Sequence, residues 1–329
     1  MMETNRELIL PVAASLPIPS AGLSGWPWEQ SVASPADARH LAGRSWPRIS
    51  IITPSYNQDR FIEQTIRSVL MQEYPNLEYI IIDGGSTDHS VEIIREYEDH
   101  LAYWVSEPDR GQSHAINKGF ARATGEIIGW LNSDDYYLPG TLFAVAEKLR
   151  EETGNFAMVG HCIYVPDDGS DSIVAKGHFA SLDRLMQFWK GYQMPQPSIF
   201  WRREAAAAAG ELDESLHLTM DFDYWVRIAR NYRFVNVDQK LSCVNYHREA
   251  KTWGDFENYQ RELRDRAPLY WPRAPSLKHY RFKSSMFLYT NVLPRWRRLT
   301  SLARYYPRRA WSVLSGALGS RAANDRNAL

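Results

Sequence analysis

The chain has 329 residues, 44% hydrophobic and 23% charged, with a net charge of −1, so a packed globular core is expected and a disordered chain is excluded. Two cysteines, Cys162 and Cys243, give neither a disulfide framework nor a cysteine zinc site, and a reducing compartment fits. No apolar run approaches the ~18 residues of a membrane span, and the proline-broken stretch 8–18 follows Glu3 and Glu7, which argues against a signal peptide, so a cytoplasmic chain is expected.

Residues 1–45 are rich in Pro, Ser, Ala and Gly without a sustained period. They read as an extended tail, laid across the domain by Trp26 and Trp28 or left mobile. From Arg48 the pattern changes. Ile49, Ile51 and Ile52 predict a buried strand stopping at Thr53-Pro54-Ser55. A helix follows from about residue 58, with Phe61, Ile62, Ile66, Val69 and Leu70 on one face. Leu77 to Ile82 is a second strand, ending in Asp83-Gly84-Gly85. A helix carrying Val91, Ile93, Ile94 and Tyr97, a third strand over 101–105 and a helix from Gly111 to Ala123 come next.

The run Ile127 to Leu131 then breaks into Asn132, Ser133, Asp134 and Asp135, a buried strand delivering carboxylates at its carboxyl end. Alternation at this spacing implies a mostly parallel α/β sheet with helices on both faces. The strand ends at Ser55, Asp83 and Asn132 then share one side, where open α/β sheets bind ligands. Adjacent carboxylates repel unless a cation lies beside them. A hard divalent ion holding a diphosphate would serve; a solvated turn or a helix cap is the plainer alternative.

Beyond residue 140 the sequence predicts a helix at 140–151, a strand near 156–165, a helix near 181–190 and a strand at 198–201. An alanine-rich helix over 204–210 is closed by Gly210, a helix spans 221–231, and strands lie near 233–237 and 241–246. The boundaries expected are a tail to 45, a core domain over 46–255 and an extension over 256–329. Residues 271–320 hold ten Lys or Arg, interleaved with aromatic and aliphatic residues, and no Asp or Glu. Basic amphipathic helices of this kind lie on anionic membranes at ~1 kcal/mol per cation. The same pattern fits a cap on the core or a face docking an oligomer partner. No nucleic-acid motif accompanies the charge.

Each strand end offers a group that a sugar nucleotide needs. Thr53, Pro54, Ser55 and Tyr56 present backbone, hydroxyls and an aromatic ring for a nucleoside, and Asp83 accepts from a base or closes an Asx turn. Gly111, Gln112 and Asn117 belong to a polar loop entering a helix whose N-terminus suits an anion or a sugar hydroxyl. The glycines match neither GxGxxG nor a Walker loop, which weakens dinucleotide and ATPase readings.

Ile-Ile-Thr-Pro-Ser-Tyr-Asn (51–57), Ile-Asp-Gly-Gly-Ser-Thr-Asp (82–88), Asp-Arg-Gly-Gln-Ser-His-Ala-Ile-Asn-Lys-Gly (109–119) and Leu-Asn-Ser-Asp-Asp-Tyr-Tyr-Leu-Pro-Gly (131–140) together resemble family 2 glycosyltransferases of the GT-A fold, over about residues 46–250. The resemblance implies an inverting, hexosyl-type transfer from a nucleoside diphosphate sugar, a UDP-sugar above all, with Mg2+ or Mn2+ as cofactor. Thr53, Pro54, Tyr56 and Asp83 would hold the nucleoside. The family's Asp-x-Asp falls on Asn132-Ser133-Asp134, so Asp134 would bind the metal and Asn132 departs from the pattern. Asp135 and His247 would add to the metal shell. Asp221, with Asp223 as runner-up, aligns with the general base, although both suit helix capping. Gln196, Pro197 and Ser198 resemble the segment lining the sugar and acceptor pocket. The implied acceptor is a saccharide, lipid-linked in cell-surface polysaccharide synthesis. A nucleotidyltransferase would need a basic glycine-rich loop that Thr53–Asn57 lacks; a non-catalytic membrane adaptor is kept open by Asn132 and Met220.

Overall fold

The computed structural model describes residues 12–19, 22–29, 46–154, 156–186 and 194–247, with 251, 258–259, 261–263 and 265–266. The chain divides into two compact units, Met1–Leu185 with Gln193–Leu263, and Met186–Tyr192 with Arg264–Leu329. The sheet and the site belong to the first. The basic stretch 271–320 lies outside the described residues.

A short helix α1 (Val12–Ser15) precedes the first strand, β1 (Ile49–Ser55). Helix α2 (Ile62–Leu70), β2 (Leu77–Asp83), α3 (Ser90–Glu96), β3 (Tyr103–Ser106), α4 (Gln112–Arg122) and β4 (Ile127–Trp130) follow in alternation. β2 and β4 flank β1, and β3 adds outside β2, all parallel. Burial on both faces explains the unbroken isoleucine runs of β1 and β2. The expected convergence of the ends of β1, β2 and β4 is therefore observed. The third strand starts two residues later than its apolar pattern suggests.

β5 (Asp135–Tyr137) is a strand that the polar run hides. Helix α5 (Thr141–Glu151), β6 (Phe156–Pro166), β7 (Ile173–Ala175), α6 (Leu182–Leu185), β8 (Ile199–Arg202), α7 (Arg203–Ala209), α8 (Met220–Asn231) and β9 (Arg233–Tyr246) complete the described α-helices and strands, and Glu98–His100 and Gln196–Ser198 are single 3-10 turns. The predicted strands 233–237 and 241–246 are one strand, β9, which runs parallel to β6 through a register shift near His161. Of the predicted helix 181–190, α6 is described and 187–190 lie outside the described residues. Among the described residues the sheet order is β3-β2-β1-β4-β8-β6-β9-β5, with β7 on β6. The parallel pattern holds through β1 to β4, and antiparallel pairs enter at β8 and β5. Helix α4 packs tightly on β1: a Cβ at Gly119 would stand 2.4 Å from Ile52.

The N-terminal segment is bound to α2 through one arginine. Arg67 is buried and donates from Nη1 to Pro17 O (2.8 Å) and Tyr97 Oη (3.2 Å), and from Nη2 to Trp28 O (3.2 Å). Its guanidinium carbon lies 5.6 Å from the Trp28 ring centroid, and Trp26 Nε1 donates to Tyr137 O at 2.7 Å. Both tryptophans thus lie on the domain, as their position in the tail suggests. Arg67→Ala would strand several buried carbonyls, so a loss of about 2–4 kcal/mol is expected in urea unfolding. A change under about 1 kcal/mol would show that the segment is not coupled to the core.

Candidate functional site

Helix α2 fixes the turn that carries the carboxylates. Thr65 Oγ1 lies 2.9 Å from Ser133 O and 2.6 Å from Asp135 O, and Ser68 Oγ accepts from Tyr137 N at 3.1 Å. The turn is held through its backbone, so the Asp134 side chain stays partly exposed, at 22%. His247, at the end of β9, is buried and brings Nε2 to 3.2 Å from Asp134 Oδ2. Phe61 flanks its ring at 4.6 Å between centroids.

Asp135 behaves differently. It is buried as the first residue of β5, where it pairs with Val244, and Asn132 Nδ2 lies 3.4 Å from its Oδ2. Burial first, then the charge of Asp134, push its carboxyl well above the usual carboxylate range. The expectation that Asp135 ligates a metal is therefore not met by its placement. The Asp134–His247 pair does fit one: neighbouring ligands of an octahedral ion lie about 3 Å apart. Among the described residues no group of three or more His, Cys, Asp or Glu could hold an ion alone. Phosphate oxygens would have to complete such a shell.

Asn132 joins three elements. Its Oδ1 accepts from Trp130 Nε1 (2.7 Å) and Gln112 Nε2 (2.8 Å), while its Nδ2 donates to Gln196 Oε1 (3.1 Å). Gln196 Nε2 closes the ring on Trp130 O at 2.6 Å. A carboxylate at 132 could not donate to Gln196 and would face Asp135, so the amide that breaks the motif is the group this network requires. Lys251 Nζ donates to Gln112 Oε1 at 3.2 Å. Gly111 opens α4 at φ 110°, a conformation that favours glycine, and its N–H donates to Asp109 Oδ1 (2.7 Å).

The strand-end residues divide between core and mouth. Thr53 is buried, with Oγ1 3.2 Å from Tyr79 Oη, so its side chain faces the core and only its backbone is offered. Pro54 is buried beside it, and Tyr56 is 59% exposed. The Ser55 hydroxyl is buried and has no partner among the described residues. Asp83 closes the turn after β2: Oδ2 accepts from Gly85 N (3.1 Å), Ser86 N (2.8 Å) and Ser106 Oγ (2.7 Å), and Oδ1 from Ser86 Oγ (2.5 Å). These bonds form the Asx turn that its sequence position allows.

Helix α8 begins next to α4. Ser113 Oγ lies 3.2 Å from Met220 Sδ, which places Gln112 and Asp221 one residue either side of a direct contact. Arg110 holds Glu214 through two bonds of 2.8 and 3.0 Å. Asn117 Nδ2 donates to Leu212 O (3.0 Å) and its Oδ1 accepts from Leu212 N (2.8 Å). Asn117 is thus a loop anchor, and the expectation that it binds the nucleotide sugar does not hold, because both polar ends are occupied. Glu262 accepts from the backbone N–H groups of His217 (3.1 Å), Leu218 (3.0 Å) and Thr219 (3.1 Å), fixing the entry to α8.

Asp221 and Asp223 separate clearly. Asp223 is buried, and its Oδ2 accepts from Arg227 Nε at 2.8 Å, an ion pair one helical turn apart that occupies the carboxylate. Asp221 is half-buried at the first turn of α8, with Phe222 N donating to Oδ1 at 2.7 Å. Burial raises its carboxyl to about 6. Of the proposed acceptor segment, Gln196 reaches the Asn132 network. Pro197 and Ser198 are buried, and the Ser198 hydroxyl donates to His161 O (2.8 Å) and lies 2.5 Å from Ser242 Oγ. Ser198 therefore does not line a pocket. Thr65, Lys251 and Glu262 were not legible as site residues, because nothing local distinguishes them from ordinary helix or surface positions.

The family description "Glycosyl transferase family 2" matches residues 50–205. An uncharacterized glycosyltransferase of Mycobacterium tuberculosis is 31% identical over 227 residues, covering 64% of this chain and 82% of that protein. TuaG of Bacillus subtilis, named for teichuronic acid biosynthesis, is 36% identical over 126 residues, or 37% of this chain. The chain spans 49% of TuaG and 59% of an uncharacterized glycosyltransferase of Rickettsia typhi, 30% identical over 56% of this chain. Staphylococcus aureus TarS (residues 1–349) in complex with UDP-GlcNAc superposes with a TM-score of 0.57 at 18% identity, over 78% of this chain and 80% of that one. The Pyrobaculum calidifontis mannosyltransferase PcManGT, in complex with GDP-Man and Mn2+, gives 0.51 at 18% identity, over 86% and 85%. These structures share the GT-A fold that the resemblance of the sequence motifs implies. With the family description matched over residues 50–205, and a relative 31% identical of which 82% is covered, the chain belongs to glycosyl transferase family 2.

Proposed function

We propose that the protein transfers a hexose from a nucleoside diphosphate sugar, UDP-linked in the first instance, to a saccharide hydroxyl with inversion at the anomeric carbon. The observation that carries this reading is the division of labour between two carboxylates. Asp134 is partly exposed beside His247 at the end of the parallel sheet, and Asp221 is half-buried with its carboxyl raised to about 6.

The donor's diphosphate would lie against Asp134 and His247, which would hold a divalent ion, Mg2+ or Mn2+. When bound, the ion supplies positive charge to the diphosphate as it departs. The nucleoside would contact Tyr56, the Ser55 hydroxyl and the backbone of Thr53 and Pro54. Asp221 takes the proton from the acceptor hydroxyl while that oxygen bonds to the anomeric carbon and the pair from the broken carbon–oxygen bond passes to the β-phosphate. A base with a value near 6 is ionised at neutral pH and still accepts a proton as attack proceeds. Attack from the face opposite the diphosphate inverts the centre.

The UDP-GlcNAc and GDP-Man complexes of the structural neighbours support a nucleotide-sugar donor. The name of TuaG supports a cell-wall polysaccharide acceptor. A lipid-linked acceptor at the inner membrane face rests on the charge of residues 271–320 alone. Among the described residues no helix is long and apolar enough to cross a membrane. The test is release of UDP from UDP-GlcNAc and of GDP from GDP-Man by the purified chain, with and without Mn2+. Metal-stimulated release from either supports the reading; release from neither, with or without a saccharide acceptor, overturns it.

A further inference from the structure

We propose that Lys251 is the second cation of the donor site, forming a direct charged hydrogen bond to the diphosphate of the bound nucleotide sugar. This rests on the reading of the site given above, and it adds a residue beyond the segment matched by the family profile.

Three independent features meet at this lysine. Its Nζ lies 3.2 Å from Gln112 Oε1, at the first residue of the 11-residue helix α4. A helix N-terminus carries partial positive charge and disfavours a cation, yet among the described residues no carboxylate lies within 4 Å of this ammonium, and its hydrogen bond goes to a neutral amide oxygen. Surrounding protein lowers its affinity for the proton, and the more distant charges of Asp109, Glu262 and Asp134 partly restore it. The ammonium is exposed to solvent and stands beside the helix end, where a bound anion would be favoured by both.

The third feature is the neighbouring amide. Gln112 also binds Asn132, which stands where a carboxylate is expected and holds no charge. A nucleoside diphosphate sugar brings two negative charges on its phosphates. One divalent ion and the single carboxylate of Asp134 leave that assembly one unit negative. Lys251 brings the sum to zero, which favours the bound diphosphate. On binding, the ammonium would exchange the Gln112 oxygen for a phosphate oxygen, a stronger acceptor.

The experiment is calorimetric titration of the full chain with UDP, GDP and UMP in Mg2+, for wild type, Lys251→Met and Lys251→Arg, with thermal unfolding recorded for each. The expected result is that Lys251→Met weakens the preferred diphosphate by about 10- to 100-fold, the worth of one charged hydrogen bond. UMP should change by less than about 3-fold, and Lys251→Arg should recover most of the loss. Unchanged diphosphate binding in Lys251→Met overturns the proposal, as does an equal loss of UMP and diphosphate. Failure of the wild-type chain to bind either diphosphate overturns the donor-site reading itself, and this inference with it.

Discussion

Asp221→Asn should reduce sugar transfer by about 10²- to 10⁴-fold while leaving UDP or GDP affinity within about 3-fold of wild type. The substitution keeps shape and removes only the proton acceptor. Initial-rate transfer assays and nucleotide calorimetry on the same preparation decide it, and parallel loss of both would make Asp221 structural. The pH profile gives a second reading. With the carboxyl at about 6, kcat/KM should fall tenfold per pH unit below that value.

Stability should move in the opposite sense. The native value lies above the ~3.9 of a free aspartate, so the native state binds the proton more tightly than the unfolded chain. That contribution is fully present below pH ~4 and is lost as pH rises through about 6. Asp221→Asn should therefore raise the unfolding free energy at pH 8, by an amount on the order of 1 kcal/mol after allowing for partial exposure, and change it little at pH 4. An inactive variant that is more stable than its parent only at higher pH separates a functional carboxylate from a structural one.

Asp134→Asn should cost about 10²- to 10³-fold in turnover and abolish the difference between UDP titrations made with and without Mn2+. The Asp134 backbone oxygen accepts from Asn245 Nδ2 at 2.9 Å, and Thr65 holds the neighbouring carbonyls, so the turn itself should survive the change. Unfolding within about 1 kcal/mol of wild type is the accompanying expectation. Retention of the Mn2+ effect would move the ion away from this carboxylate and undo the assignment of His247 as its partner.

The sheet was readable where apolar runs and turns alternate. The isoleucine strands, the face of α2, the Gly210 stop and the convergence of three strand ends all follow from periodicity. What resisted was local and polar. β5 is three residues long, and its buried Asp135 looks like surface in any hydropathy pattern; only pairing with β9 explains its position. Ser198 and Asn117 have the chemistry of ligand contacts, but their partners are His161 and Leu212, distant in the chain. Asp221 and Asp223 stand two residues apart with similar surroundings in sequence. Arg227, one turn further on, takes the second and leaves the first. Glu262 carries no motif at all, and its role depends on a loop more than forty residues earlier.

The grip of Arg67 on Pro17 and Trp28 has a practical corollary for anyone trimming this gene. A fragment begun at the first strand would leave a guanidinium and a tyrosine hydroxyl in an open crevice and would release the indole that braces Tyr137. Such a fragment should express poorly or clump, and a negative assay on it would say nothing of the intact chain. The contacts that seat Arg67 and Tyr137 begin well ahead of the matched family segment.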